Sequence, residues 1–215
     1  MYECAVCKRL ACHEEGVTTY PSHCPTSDAN AGDGLDAYSA DDLVLARNSA
    51  RVEAEGYCRL TRVEETMDFA RRCGFERLGL AFCIGLQSEA AVLRRVLVAN
   101  GFSVDSVLCK NGAVDKSLIG LGDDDKLEPG TFEAMCNPVG QARALARAGT
   151  QLNIVLGLCV GHDSLFFKHS SAPVTVLAAK DRVLGHNPLA AIYLADGYYH
   201  DKLFPPGDDE DGAAS

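Results

Sequence analysis

The chain is short of positive charge: 20 lysines and arginines face 30 aspartates and glutamates over 215 residues, a formal net charge of −10. Nucleic acid and anionic membrane surfaces both need a basic face, so neither is expected as the main partner. Part of the acidic excess is one run, Asp208-Asp209-Glu210-Asp211, expected to be a solvated tail. Long apolar runs are also missing, and none approaches the roughly 20 residues of a membrane span. The start, Met-Tyr-Glu-Cys, has neither the basic nor the apolar region of a secretory signal. The expected location is therefore cytoplasmic. With no Gly-x-Gly-x-x-Gly fingerprint and no Walker-type loop, nothing supports a nucleotide cofactor. No solenoid-type repeat is present either.

What the chain does have is cysteine, ten in all. In a reducing compartment such a set reads as metal-binding or catalytic before it reads as disulfides. The plain competing reading is that the thiols are small buried hydrophobes. The rest of the composition, 47% hydrophobic and 23% charged, is that of an ordinary globular protein. The length suits one sizeable core with an appendage, or two small domains.

Residues 1–27 carry Cys4-x-x-Cys7, then Cys12 and Cys24-Pro25, with too little apolar periodicity to build a core. That is the usual condition of a knuckle stabilised by a bound ion. Cys4 and Cys7 can offer two thiolates from one tight turn, and Cys12 and Cys24 complete a four-sulfur shell, with His13 and His23 as substitutes. Zinc sites more often pair two Cys-x-x-Cys turns, whereas a lone pair followed by spaced cysteines and a Cys-Pro also occurs around iron–sulfur clusters. The expected occupant is zinc or a [4Fe–4S] cluster.

Residues 28–75 read as a linker followed by helices. Ser39 with Asp42 is a capping pair for a helix over Asp41–Glu55, and Thr61-Arg-Val-Glu64 is a capping box for a second. Cys58 and Cys73 are assigned structural places. Residues 76–196 then alternate strand and helix. Strands are expected at Leu78–Cys83 and Val104–Cys109, at the apolar run beginning with Asn153, and at Pro173–Ala178. Helices are expected over Ser88–Asn100, over Pro138–Ala148, from His162 to about His169, and from Pro188. The long connection Lys110–Thr131, with a short helix around Lys116–Ile119, is expected to cover the strand ends. Residues 197–215 read as a loosely attached acidic tail. The pattern predicts an α/β fold, a Rossmann-like (flavodoxin-like) parallel sheet flanked by helices, with the cysteine knuckle appended.

The chief functional signal is positional. Cys83, Cys109 and Cys159 each end an apolar run, Cys136 precedes a helix, and each has Gly or Pro within three positions downstream. In open α/β sheets ligands bind at that carboxyl edge, where the strand order reverses. Thiols turned out of the edge beside helix amino ends would be held as thiolates, the form that binds metal. Together these four are expected to hold a second centre, a [4Fe–4S] cluster or, in tetrahedral geometry, zinc. Asp163 is expected to cap a helix, with His162 as ligand, base or proton shuttle. Lys110 and Lys180 would lower neighbouring thiol pKa values or bind an anionic substrate, unless they are solvated loop lysines. His186-Asn187-Pro188 is placed at the rim.

These residues resemble a family. The Cys4-x-x-Cys7 start with Cys12 and Cys24-Pro25, Cys109-Lys110, Cys136-Asn137-Pro138, Gly157-Leu-Cys-Val-Gly-His-Asp163 and Lys180-Asp-Arg182 to His186-Asn187-Pro188 are similar to an uncharacterised prokaryotic family labelled only "metal-binding protein". The resemblance covers nearly the whole chain apart from the acidic tail. It implies metal binding and supplies no reaction. The preferred expectation is a metalloprotein with two cysteine-ligated centres, serving electron transfer or redox sensing with a redox protein partner. One competitor is a thiol enzyme with Cys159 as nucleophile and His162 as base. Another is a zinc-stabilised, non-catalytic interaction module whose later cysteines are core.

Overall fold

The computed structural model describes residues 1–27 and 34–206. Most of the expected linker, 28–33, and the acidic run 208–211 lie outside the described residues. The chain packs as two compact units, Met1–Arg51 and Val52–Ser215.

Met1–Arg51 runs through four short 3-10 turns, Cys4–Val6, Ala11–His13, Pro25–Ser27 and Leu35–Ala37, into helix α1 (Ala40–Gly56). The start of α1 is set by reciprocal capping. The Ser39 hydroxyl accepts from the Asp42 N–H at 3.2 Å, and the Asp42 carboxylate accepts from the Ser39 N–H at 3.0 Å. Among the described residues of this unit only Ala11 and Asn48 are buried.

The second unit opens with α2 (Arg62–Arg72), where the expected capping box of Thr61 and Glu64 is formed. Then follow β1 (Arg77–Phe82), α3 (Gln87–Ala99), β2 (Ser103–Leu108), α4 (Pro138–Ala148), β3 (Leu152–Leu156), α5 (His162–His169) and β4 (Val174–Ala178). Two short helices, α6 (Leu189–Tyr193) and α7 (His200–Leu203), come last. Helix α7 falls where the sequence reads as loose tail. Local ring contacts order it, with Tyr198 edge-on to Tyr199 and His200 against Phe204, each pair at 5.0 Å.

The four strands form one parallel sheet in the order β2-β1-β3-β4, so the fold is α/β. This is the order of the first four strands of a flavodoxin-like sheet, which reverses direction between β1 and β3. Right-handed crossovers that move outward on opposite sides of β1 must place their helices on opposite faces. Accordingly α2 and α3 cover one face, where Met67, Ala70, Leu93 and Leu97 pack on Leu78, Leu80, Ile154 and Leu156. Helices α4 and α5 cover the other, where Ala142, Leu145 and Phe166 pack on Ala81 and Val155. Every residue of β3 is buried, which is why its sequence is a continuous apolar run around one polar residue, Asn153. That residue is satisfied by Thr150, whose hydroxyl donates to it at 2.8 Å, and by Ser170, whose oxygen accepts from it at 2.9 Å.

Two contacts hold the register of the central pair. Gly79 on β1 lies where any Cβ would collide with the Asn153 side chain and come within 2.9 Å of Leu145. Gln141, wholly buried on α4, donates its amide to the carbonyls of Phe82 at 3.2 Å and Val107 at 2.7 Å, tying the ends of β1 and β2 together. Substituting Gly79→Ala should therefore lower stability by about 1–3 kcal/mol in urea unfolding, the usual cost of overpacking. The same change at Gly122, which has open space around it, should stay within about 0.5 kcal/mol. Equal effects at the two positions would show that the close approach at Gly79 does not constrain the sheet.

Candidate thiolate centre

All four strands point their carboxyl ends to one edge, and the ladder runs past the strands into the connections. The Cys109 N–H donates to the Phe82 carbonyl at 2.9 Å, Cys83 N–H to Leu156 at 3.2 Å, and Gly157 N–H to Ala178 at 2.7 Å. Since Phe82 is paired with Leu108 in register, Cys83 and Cys109 stand side by side one residue beyond. Their thiols do not project clear of the edge as expected. They are 5% and 2% exposed and belong to the apolar cluster under α4 and α5. The reason is the two-residue period of a strand: Ala81 faces that cluster, so Cys83 does too.

Cys136 reaches the same spot from the far end of the long connection. That connection is drawn in at its neck, where Asp115 bridges Ala134, the Met135 N–H donates to Val114 at 2.7 Å, and Lys116 pairs with Glu133 at 2.8 Å. The Lys110 ammonium caps the neck on the Ala134 carbonyl. Beyond it, the Asn137 N–H donates to the Cys109 carbonyl at 2.7 Å. The Asn137 side chain accepts from the Gly140 N–H at 2.8 Å to start α4, while the Asn111 amide bonds the Leu108 and Asn137 carbonyls. These bonds place half-buried Cys136 against Cys109.

Cys83, Cys109 and Cys136 accordingly pack in one cluster and shift one another's pKa values, with Cys109 acting on both neighbours. Cys109, whose sulfur also accepts the Ile84 N–H at 3.3 Å, keeps its proton: its pKa is pushed up by Cys136, by Cys83 and by burial. Cys109 holds Cys83 down to about 5, helped by the Gly85 backbone and the Lys180 ammonium. Cys136 is likewise brought down to about 6, chiefly by Cys109 and then by the charges of Lys110 and His162. The shifts favour thiolate at Cys83 and Cys136 and thiol at Cys109. Lys180 packs so tightly over the turn after Cys83 that its Nζ is 3.1 Å from where a Cβ on Gly85 would stand.

Cys159 lies three residues beyond β3, past Gly157, whose φ of +65° and close contact with Leu86 admit no side chain. Its sulfur accepts from the Arg182 guanidinium at 3.1 Å, and Arg182 also feels the charges of Cys83 and Cys136. The loop that carries Arg182 is self-closed. Asp181 accepts the N–H groups of Val183 and Leu184, its own N–H donates to His186 Nδ1 at 3.1 Å, and the His186 N–H returns to the Asp181 carbonyl at 2.8 Å. His186 therefore shapes the loop behind the rim.

Other expectations for this edge change. Asp163 does not cap α5, whose amino end is Gly161 with no side-chain cap, and its carboxylate accepts from the neighbouring Ser164 N–H at 2.7 Å. His162 acts on Cys136 by charge, and the hydrogen-bond partner of Cys159 is Arg182. Among the described residues, no hydrogen bond joins the His162 ring to the Cys159 sulfur. Arg182, Gln141 and Asn111 are the positioning residues that sequence reasoning missed. Only Arg182 left a trace, inside the Lys180-Asp-Arg182 segment.

In the N-terminal unit Cys4 and Cys12 are exposed and Cys7 and Cys24 half-buried; Cys24 is lowered by hydrogen bonds, chiefly from Thr26. None of the ten cysteines is in a disulfide. Among the described residues, no group of three or more His, Cys, Asp or Glu side chains is arranged as a ready metal shell, at either end of the molecule. Nor is any described helix long and apolar enough to cross a membrane.

Residues 24–177 match a family described as "Protein of unknown function (DUF1847)". The chain belongs to this family. The match takes in Cys24 and all four sheet-edge cysteines but begins after Cys4, Cys7 and Cys12 and ends before Lys180 and Arg182, a narrower span than the resemblance implied. An uncharacterized protein of Methanocaldococcus jannaschii is 46% identical over 163 residues, covering 76% of this chain and 81% of that protein. No solved structure matches the chain at a significant level.

The thiolate at Cys136 has a direct readout. In metal-free protein, alkylation of Cys136 by iodoacetamide should rise with pH only up to about 6 and be level through neutrality. Mass-spectrometric labelling rates that still climbed about tenfold per pH unit above neutrality would mean an ordinary thiol.

Proposed function

We propose that the protein binds soft metal ions through cysteine thiolates, with its main centre at the sheet edge. Cys83, Cys109 and Cys136 would hold the ion, Cys159 would complete the shell, and Lys110, Lys180 and Arg182 would offset the charge. The observation that carries this reading is the gathering of Cys83, Cys109 and Cys136 into one packed cluster, from the connection after β1 and from the two ends of the connection between β2 and α4. Thiols in contact suit a single tetrahedral ion of the zinc type, since Zn–S bonds near 2.3 Å put ligand sulfurs about 3.8 Å apart. Such an ion supplies Lewis acidity and holds sulfur as thiolate. Binding requires that the proton on Cys109 leave, so uptake should release protons and weaken as pH falls.

The N-terminal unit supports a second site on different grounds. A stretch whose described residues bury only Ala11 and Asn48 gains its order from something other than a core, and Cys4, Cys7, Cys12 and Cys24 supply a four-thiolate set for one structural ion.

Anaerobically purified protein should carry about two zinc-type ions per chain, one for each set. Cys109→Ser should remove one of them, while paired Cys4→Ser and Cys7→Ser substitutions should remove the other and expose residues 1–40 to proteolysis. Iron with acid-labile sulfide would replace the single ion by a cluster. Protein that retained no metal and bound none tightly would end the proposal.

A further inference from the structure

The same edge supports a reaction that does not depend on any bound metal. Cys83 and Cys109 follow the paired ends of two adjacent parallel strands, and the Cys109 N–H to Phe82 carbonyl bond of 2.9 Å continues the ladder to their level. Cys83 is extended, with φ −81° and ψ 143°. Adjacent strands lie about 4.8 Å apart, inside the roughly 4.4–6.8 Å between Cα atoms that a disulfide bridges without backbone movement. Both side chains lie on the face covered by α4, in one buried cluster. Each is nearly sealed from solvent, whereas Cys136, packed against the same cluster, is half-buried.

We propose that Cys83 and Cys109 form a reversible disulfide, and that Cys136 is the thiol through which a small disulfide oxidant reaches them. The Cys136 thiolate attacks one sulfur of the oxidant, forming a mixed disulfide and expelling one thiolate. Cys109 then gives up its proton and attacks the Cys136 sulfur, so that a Cys109–Cys136 bond forms and the second small thiolate leaves. Cys83 attacks Cys109 in turn and returns Cys136 to the thiolate form. Two electrons pass from Cys83 and Cys109 to the two departing thiolates, which take their protons from Cys109 and from solvent. A bound ion and this disulfide would compete for the same sulfurs, so oxidation would discharge the metal.

The experiment uses full-length, metal-free, reduced protein treated with oxidised glutathione, then digested without reduction and analysed by mass spectrometry. The expected product is a cross-linked peptide pair joining Cys83 to Cys109, reopened by dithiothreitol. Glutathione retained on Cys136 with Cys83 and Cys109 still reduced, or a cross-link that stops at Cys109–Cys136, would overturn the proposal. Cys136→Ser, with an unchanged circular dichroism spectrum, should slow the Cys83–Cys109 cross-link by at least about tenfold; an unchanged rate removes the entry role. Cys159→Ser separates this reaction from metal binding. It should weaken zinc uptake yet leave the cross-link intact, and loss of the cross-link in that folded variant would count against the disulfide.

Discussion

The parallel pairing of β1 with β2 on one side and β3 on the other is the constraint on which the rest of this structure depends. It sends every carboxyl end to a single edge, and its register decides which side chains meet there. A slip of one residue would carry Cys83 from the α4 face to the α2–α3 face and leave Cys109 without its neighbour. The molecule guards against that slip from inside. Gly79 admits Asn153 and Leu145 where no Cβ fits, and Gln141 grips the last carbonyls of both strands from the helix above. Buried polar groups that are satisfied in only one register specify that register, because each alternative leaves them unpaired at a cost of about 1–3 kcal/mol.

Charge is the second organising quantity. A chain with a net charge of −10 nevertheless gathers Lys110, Lys180 and Arg182 around its sulfurs. Without them thiolates gathered in a partly buried cluster would repel, and the protons would return. The cations arrive by different routes. Lys110 is fixed by the neck of the long connection, Lys180 rests on the turn after β1, and Arg182 is held out by the closed loop of Asp181 and His186. Burial and its two thiol neighbours favour the protonated form of Cys109, which lowers the charge of the cluster.

The two units show two ways of using thiols. Around the sheet, cysteine sits within a core that folds by burying leucine, isoleucine and phenylalanine, so the sulfur group is placed by packing and is free to do chemistry. In Met1–Arg51 the described residues bury only Ala11 and Asn48, so packing does little to place its cysteines. The extent of the family match, which starts at Cys24 and takes in Cys83, Cys109, Cys136 and Cys159, falls on the first of these two arrangements.

Much of the fold was legible because its signals are local. Pro138 at the first position of α4, the Thr61–Glu64 box and the Ser39–Asp42 pair are short-range hydrogen-bonding rules, and each marks the helix end it predicts. Helix α7 was not legible, because ring contacts between neighbours leave no periodic trace. Asp163 misled because a capping residue was assigned by position, whereas the backbone at Gly161 set the helix start. The amino-acid sequence by itself determined that strands alternate with helices and that cysteines fall just past the strands. Only the tertiary structure decided that Cys83, Cys109 and Cys136 share one packed cluster, that two of them are buried, and that Arg182 is the hydrogen-bond partner of Cys159. Those facts rest on register, crossover direction and loop closure, which join residues tens of positions apart and therefore have no local signature.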